Sequence, residues 1–324
     1  MTTLPRQLHY ERPSALPTGT RSTQVVINPN NGAKFDQTGS VIQFDLLNKG
    51  FIVPTSLTLS YTMKVTGAAG NSDTIRMLGV PAAAPFQRLE TIHNGNVIES
   101  VNQYNALYNM LINTKLSVGQ KLSLAPALGY SQGGDEADMS LLNGRVLAGT
   151  DAGLNKGEEF SVAIPLGCLI SNCDHLFPAA YCGSLRIQLT MDDLLNYFEK
   201  GTNGVTAMTG GSVELSNLAL KYDCVEFPAE VDAMVLGSLA DEAGAIHIKS
   251  QTFQTSSQTL PSGAQGQQSL IFNTRLSSIK SLVAVFEGGG ANQKNGKFDA
   301  CDVTSKNGSF QYALNGSYYP QRPL

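Results

Sequence analysis

The sequence predicts an all-β protein of antiparallel sandwiches, and three observations carry that expectation. Hydrophobic residues fill 42% of the 324 positions and charged residues only 15%, with 32 glycines, which suits short strands and tight turns better than long charged helices. Asn-Gly dipeptides begin at Asn31, Asn94, Asn143, Asn203, Asn295, Asn307 and Asn315, and both residues tolerate the positive φ that two-residue hairpin turns require. Between them run segments of strict period two, the pattern of a half-buried strand. A chain of this length exceeds what one hydrophobic core usually serves, so two sandwiches are expected.

Taken in order, residues 1–20 hold Pro5, Pro13 and Pro17 with Arg6 and Arg12 against Glu11. They contain no apolar run of the length a secretory leader needs, and read as an arm ordered only on assembly. Leu57, Leu59, Tyr61, Met63 and Val65 alternate with polar neighbours. So do Phe160, Val162, Ile164 and Leu166, and again Leu185, Ile187, Leu189 and Met191. These are expected to be antiparallel strands with one dry face. In VELSNLALKYDCVEF the apolar phase slips between Leu215 and Leu218, which predicts a one-residue bulge near Ser216 and Asn217. SLVAVF, from Ser281 to Phe286, is apolar on both phases, as a strand in a covered sheet would be. Two stretches carry helical spacing. SVNQYNALYNMLIN has Ser100 and Gln103 as a capping box. PAEVDAMVLGSLA has Pro228 at its start and a stripe of Val231, Val235 and Leu239.

Several chemistries find no footing. A net charge of −4 gives no field to gather nucleic acid, and no window has the apolar length of a membrane span. Cys168, Cys173, Cys182, Cys224 and Cys301 are an odd set that reads as reduced thiols, mostly small apolar groups in the core. His9, His93, His175 and His247 stand in no nucleophile motif. Cys168, Cys173, His175 and Cys182 form the densest constellation but lack a tight C-x-x-C knuckle, so zinc yields to core and loop thiols. Asp135, Glu136 and Asp138, and then Asp192 and Asp193, supply too few oxygens for calcium, although a carboxylate pair adjacent only in space stays open. EGGGANQKNGK lacks the phosphate-cradling pattern and reads as a surface loop. Asn307 and Asn315 sit in N-x-S sequons and read as turn residues. No catalytic, cofactor-binding or metal-binding residue is assigned, and no cofactor is expected.

The most informative feature is an internal repeat. SVIQFDLLNKGFIVPTSLTLSYTMKV followed by PFQRLETIHNGNVIES is matched by QSLIFNTRLSSIKSLVAVFEG followed by SFQYALNGSYYPQRPL. Each copy runs strand, strand, gap, then a Phe-Gln strand ending on Asn-Gly. The first continues through a helix and further strands to Pro228, whereas few residues follow Gly316. A sandwich left with half its strands keeps open edges. Residues 1–20 are therefore expected to be an arm, 21–228 a first jelly roll, 229–243 a helical connector and 244–324 the opening strands of a second roll. The polypeptide is expected to be part of a longer one; the alternative is that another chain supplies the missing strands.

The strand series from Val25 to Met63, the run FSVAIPLGCLISNCDHLFPAAYCGSLRIQLTMDDL, the segment NLALKYDCVEFPAEV and the NGSYYP near the end together resemble the double jelly-roll major capsid proteins of the adenovirus hexon lineage, found in tailless membrane-containing phages and large DNA viruses. The resemblance implies a structural, non-enzymatic protein of the virion, made in the host cytosol. It implies homotrimers that act as pseudo-hexagonal capsomers in an icosahedral shell. It also implies contacts with neighbouring capsomers, penton and minor capsid proteins and an internal membrane, with no sequence-specific nucleic-acid binding. The competing expectations are a carbohydrate- or receptor-binding sandwich, disfavoured by the lack of any Trp stacking platform, and a sandwich enzyme.

Overall fold

The computed structural model describes residues 19–67, 75–77, 79–130, 145–147, 158–193, 197–200, 206–207, 211–241, 247–259, 268–272, 278–284, 311–314 and 316–319. Eight strands build its centre: β1 (Arg21–Ile27), β2 (Val41–Asp45), β3 (Thr58–Gly67), β4 (Phe86–His93), β5 (Asn96–Asn102), β6 (Glu158–Pro165), β7 (Leu185–Met191) and β8 (Gly211–Glu226). All pair antiparallel. One sheet runs in the order β1-β8-β3-β6 and the other β2-β7-β4-β5. That strand order defines a jelly roll: consecutive strands mostly alternate between the two sheets, and the last two slot in between the earliest.

The apolar phase of each strand faces the gap between the sheets. Leu57, Leu59, Tyr61, Met63 and Val65 are all buried, as are Val162, Ile164 and Leu166 and the set Leu185, Ile187, Leu189 and Met191, while Phe160 packs half-buried on the same core. The Tyr61 ring of β3 meets the Phe86 ring of β4 edge-on, with centroids 5.5 Å apart, which joins the two sheets. The Tyr61 hydroxyl donates to the Ala82 carbonyl at 2.7 Å, so this buried polar group is satisfied. The expected bulge is present in β8. Its register against β3 shifts between Ser216 and Ala219, and Asn217 has φ 51°. Val213 and Leu215 before it, and Leu218, Leu220 and Tyr222 after it, all face the core.

The Asn94-Gly95 turn joins β4 to β5 with both residues at positive φ (47° and 82°), as its sequence requires. Four short strands from the long loops (Ile75–Met77, Arg145–Leu147, Phe198–Lys200 and Thr206–Ala207) form a small separate sheet.

Two helices follow β5, α1 (Tyr104–Lys115) and α2 (Val118–Leu128). Here the structure corrects the sequence reading. Ser100 to Asn102 belong to β5, and α1 begins after Gln103, which sits left-handed at φ 52° without a capping hydrogen bond. Ser100 is therefore not a helix cap; pairing of Glu90 with Ser100 in the sheet claims it first. The capping box stands one helix later, between Ser117 and Gln120. α2 accommodates Pro126 in its last turn and ends at Gly129, where φ is 83° and a Cβ would come within 2.9 Å of Val162. α1 packs on β4 and α2 on β6.

The connector helix α3 (Ala229–Asp241) forms as expected directly after Pro228, with Val231 and Val235 half-buried. Beyond it, the hairpin Tyr312–Leu314 with Ser317–Tyr319 is the only regular pairing among the described residues, and Gly316 in its turn has φ 83°. It occupies the place in the second copy that the β4–β5 hairpin has in the first, so among the described residues the second roll is partial. Residues 281–284 of SLVAVF form no strand, and Leu282 and Val283 are exposed; 285 and 286 lie outside the described residues. An apolar run becomes a strand only when a neighbour takes its backbone hydrogen bonds.

The bulge supplies a test. Asn217→Ala, forced into the left-handed region, is expected to destabilise the roll by about 1 kcal/mol, whereas Asn217→Gly changes stability by only a few tenths. Urea unfolding of both variants measures the difference.

Candidate functional surfaces

The interior holds acids, each engaged within the fold. Asp192, just past β7, accepts from the buried Asn105 side chain of α1 at 2.7 Å and from the Asp193 amide at 2.8 Å, and the same Asn105 donates to the Ala84 carbonyl. Asp192 thus ties a helix to a strand end. Asp135, Glu136 and Asp138 lie outside the described residues. Glu90 is paired with Arg88, whose Nε also donates to Ser100. Glu99 of β5, 3% exposed, accepts from the Thr91 hydroxyl (2.9 Å), the Leu169 amide (2.7 Å) and the Thr252 hydroxyl (2.6 Å). On the surface, Arg186 donates to Asp45 at 2.6 Å and holds that carboxyl below its ordinary value.

Of the four residues of the densest cysteine–histidine cluster, Cys173 and Cys182 lie near one another, and the four differ in burial. Cys168 is fully buried, and burial pushes its thiol up to about 11. Cys173 is half-buried and its thiol donates to the Leu169 carbonyl at 3.3 Å. Cys182 is half-buried as well, with its thiol raised by burial, and His175 is exposed. Among the described residues no three His, Cys, Asp or Glu side chains are grouped to hold a metal ion. Cys224, buried at the end of β8, donates to the Lys49 carbonyl at 3.2 Å. These four thiols are free of disulfides; Cys301 and His9 lie outside the described residues. His93 Nε2 contacts the Cys182 carbonyl, and His247 is exposed.

A shallow groove of about 400 Å³ lies where β4, β5 and β7 meet the segment after α3. Its lining includes Gln87, Arg88, Asn102, Gln103, Thr190 and Thr255. These amide, hydroxyl and guanidinium groups suit contact with a polar chain or surface. Elsewhere the exterior carries large apolar side chains: Val118, Leu122 and Leu124 on α2, Met234 and Leu236 on α3, and Val97 and Ile98 at the tip of β5. Among the described residues no helix is long and apolar enough to cross a membrane.

Sequence reasoning passed over Glu99 and Asn105. The one signal was phase: Glu99 alternates with Val101 and so points inward, an unusual place for an acid without partners.

No protein-family model and no curated protein matches the sequence. Similar solved structures are viral coat proteins. The PBCV-1 virus capsid is 13% identical, overlapping 69% of this chain and 46% of its own with TM-score 0.44. The Faustovirus major capsid protein is 12% identical (74% and 59%, TM-score 0.45), and the mavirus major capsid protein is 12% identical (71% and 53%, TM-score 0.37). The chain spans about half the length of the structures it matches. The strand order above, independent of these overlaps, carries the assignment of the fold.

Because the thiolate is the reactive species and the reagent must also reach it, iodoacetamide at pH 8 is expected to modify the fully buried Cys168, whose thiol burial pushes up, more slowly than the half-buried Cys173, by about tenfold or more. Peptide mass spectrometry of the labelled native protein measures it.

Proposed function

We propose that the chain is a structural, non-enzymatic subunit of a viral shell, a major capsid protein whose copies associate as homotrimers. The observation that carries the reading is the tandem arrangement. An eight-strand jelly roll is followed, through α3, by a repeat of its sequence pattern, whose hairpin is paired among the described residues. Jelly rolls serve in capsid and lectin domains alike, but two in one chain have a particular geometric use. Three such chains present six similar sandwiches and fill a hexagonal position of an icosahedral lattice with one gene product.

On this reading the work of the protein is shape. The threefold contacts are heterologous and close into a ring, and the exposed apolar residues of α2 and α3 are surfaces for burial against neighbours. The arm of residues 1–20 reaches to adjacent capsomers, to penton and minor capsid proteins or to a membrane beneath the shell. The protein acts in the virion after synthesis in the host cytosol and makes no sequence-specific contact with nucleic acid.

Size-exclusion chromatography with light scattering on the natural gene product tests the proposal. A stable assembly of three chains is expected. A well-folded monomer of 34.5 kDa overturns it and favours a carbohydrate- or receptor-binding module.

A further inference from the structure

The first roll has an open side between the edge strand β5 and the loop that follows β6. Residues 249–255 lie across it. Asp174 N–H donates to the Lys249 carbonyl at 3.4 Å, and Lys249 Nζ stands 3.8 Å from the Asp174 carboxylate. The Ser250 hydroxyl donates to the Leu169 carbonyl, and Asn172 Nδ2 donates to the Gln251 carbonyl at 3.2 Å. Thr252 donates to Glu99, Phe253 packs half-buried against the core, and Thr255 donates to the Asn102 carbonyl at 2.8 Å. Thr252 against Glu99 and Thr255 against Asn102 advance by three residues on both chains. The segment therefore runs parallel to β5 and is held by side-chain hydroxyls.

Glu99 is the centre of this contact. A buried carboxylate is tolerated only when donors surround it. Thr91 and Leu169 of the roll serve one oxygen, and Thr252 serves the other. Cys168, Cys173 and Tyr104 are titratable groups near Glu99, each with its ionisation pushed up by burial. By comparison α3, which precedes the segment, leaves most of its described side chains in solvent, and its Asp232 takes a 3.3 Å bond from Tyr181.

We propose that residues 249–255 are a strap, latched to the first roll by Glu99, and that this strap, not α3, fixes where the following part of the chain sits. The inference stands apart from the capsid reading, since it concerns how two parts of one chain are joined. The Lys249–Ser250 peptide bond lies within the strap and is a site for trypsin. In the double variant Thr252→Val, Thr255→Val, which keeps the shape of both side chains and removes both hydroxyls, cleavage after Lys249 is expected to accelerate tenfold or more. Cleavage after Arg186, at the start of β7 within the sheet, should be unchanged, and maleimide labelling of Cys173, whose side chain neighbours Ser250, should quicken in parallel. An unchanged rate at Lys249 overturns the proposal. So does an equal rise at Arg186, which would place the effect in the roll as a whole.

Discussion

Everything in this fold waits on two late strands. β7 inserts between β2 and β4, and β8 inserts between β1 and β3. Until residues 185–226 arrive, the earlier strands have free backbone edges, and every closing contact spans a long loop. β8 meets the demand by length. Its 16 residues pair with β1 and β3 and also with the short strands Lys34–Phe35 and Phe51–Ile52. A strand so long cannot follow a twisted sheet with one constant phase, and the bulge at Asn217 resets it so that Leu215 and Leu218 both face inward. A single left-handed residue thus lets one strand seal two regions of the core.

Much of this was readable in the residues, because period two reports burial directly. The phases of β3, β6 and β7, the slip in β8, the Asn94-Gly95 hairpin and the helix after Pro228 follow from local chemistry that tertiary packing leaves intact. The failures have a common cause. Ser100 and Gln103 satisfy the capping pattern, but Ser100 was already committed to pairing with β4, and α2 was hidden by Pro126 although Ser117 and Gln120 mark its start. The contacts of Glu99 with Leu169 and of Asn105 with Asp192 join residues 70 and 87 positions apart, and no local pattern reports a partner at such distance.

Those buried polar contacts do a different job from the apolar core. The core fixes which face of each strand turns inward but tolerates exchange of one apolar side chain for another so long as volume is filled. Hydrogen bonds between buried groups have direction and lose their value when misaligned. Asn105, bridging Asp192 and the Ala84 carbonyl, sets α1 against the end of β7, and Tyr104, whose hydroxyl accepts from the Gly167 amide at 3.0 Å, sets it against the end of β6. Lys121, buried on α2, donates to Asn113 of α1 at 2.9 Å and fixes the two helices to each other. The helices are therefore positioned parts of the roll even though α2 turns Val118, Leu122 and Leu124 outward.

The two copies of the repeat separate propensity from structure. Ile42, Phe44, Leu59 and Met63 in the first copy are completely buried, whereas Ile271, Phe272, Leu282 and Val283 in the corresponding runs of the second are exposed. The residue types are alike, so the difference lies in what surrounds them. In the first copy β7 and β8 intercalate and convert apolar runs into paired, covered strands. Among the described residues of the second copy, the pairing is confined to the hairpin at Tyr312–Leu314 and Ser317–Tyr319, whose turn closes with its own neighbours. A hairpin needs only its Asn-Gly turn to find its register, while an isolated apolar run needs strands delivered from elsewhere. The division between what forms locally and what must be intercalated accounts for a shared sequence pattern giving a closed roll in one place and, among the described residues, a hairpin in the other.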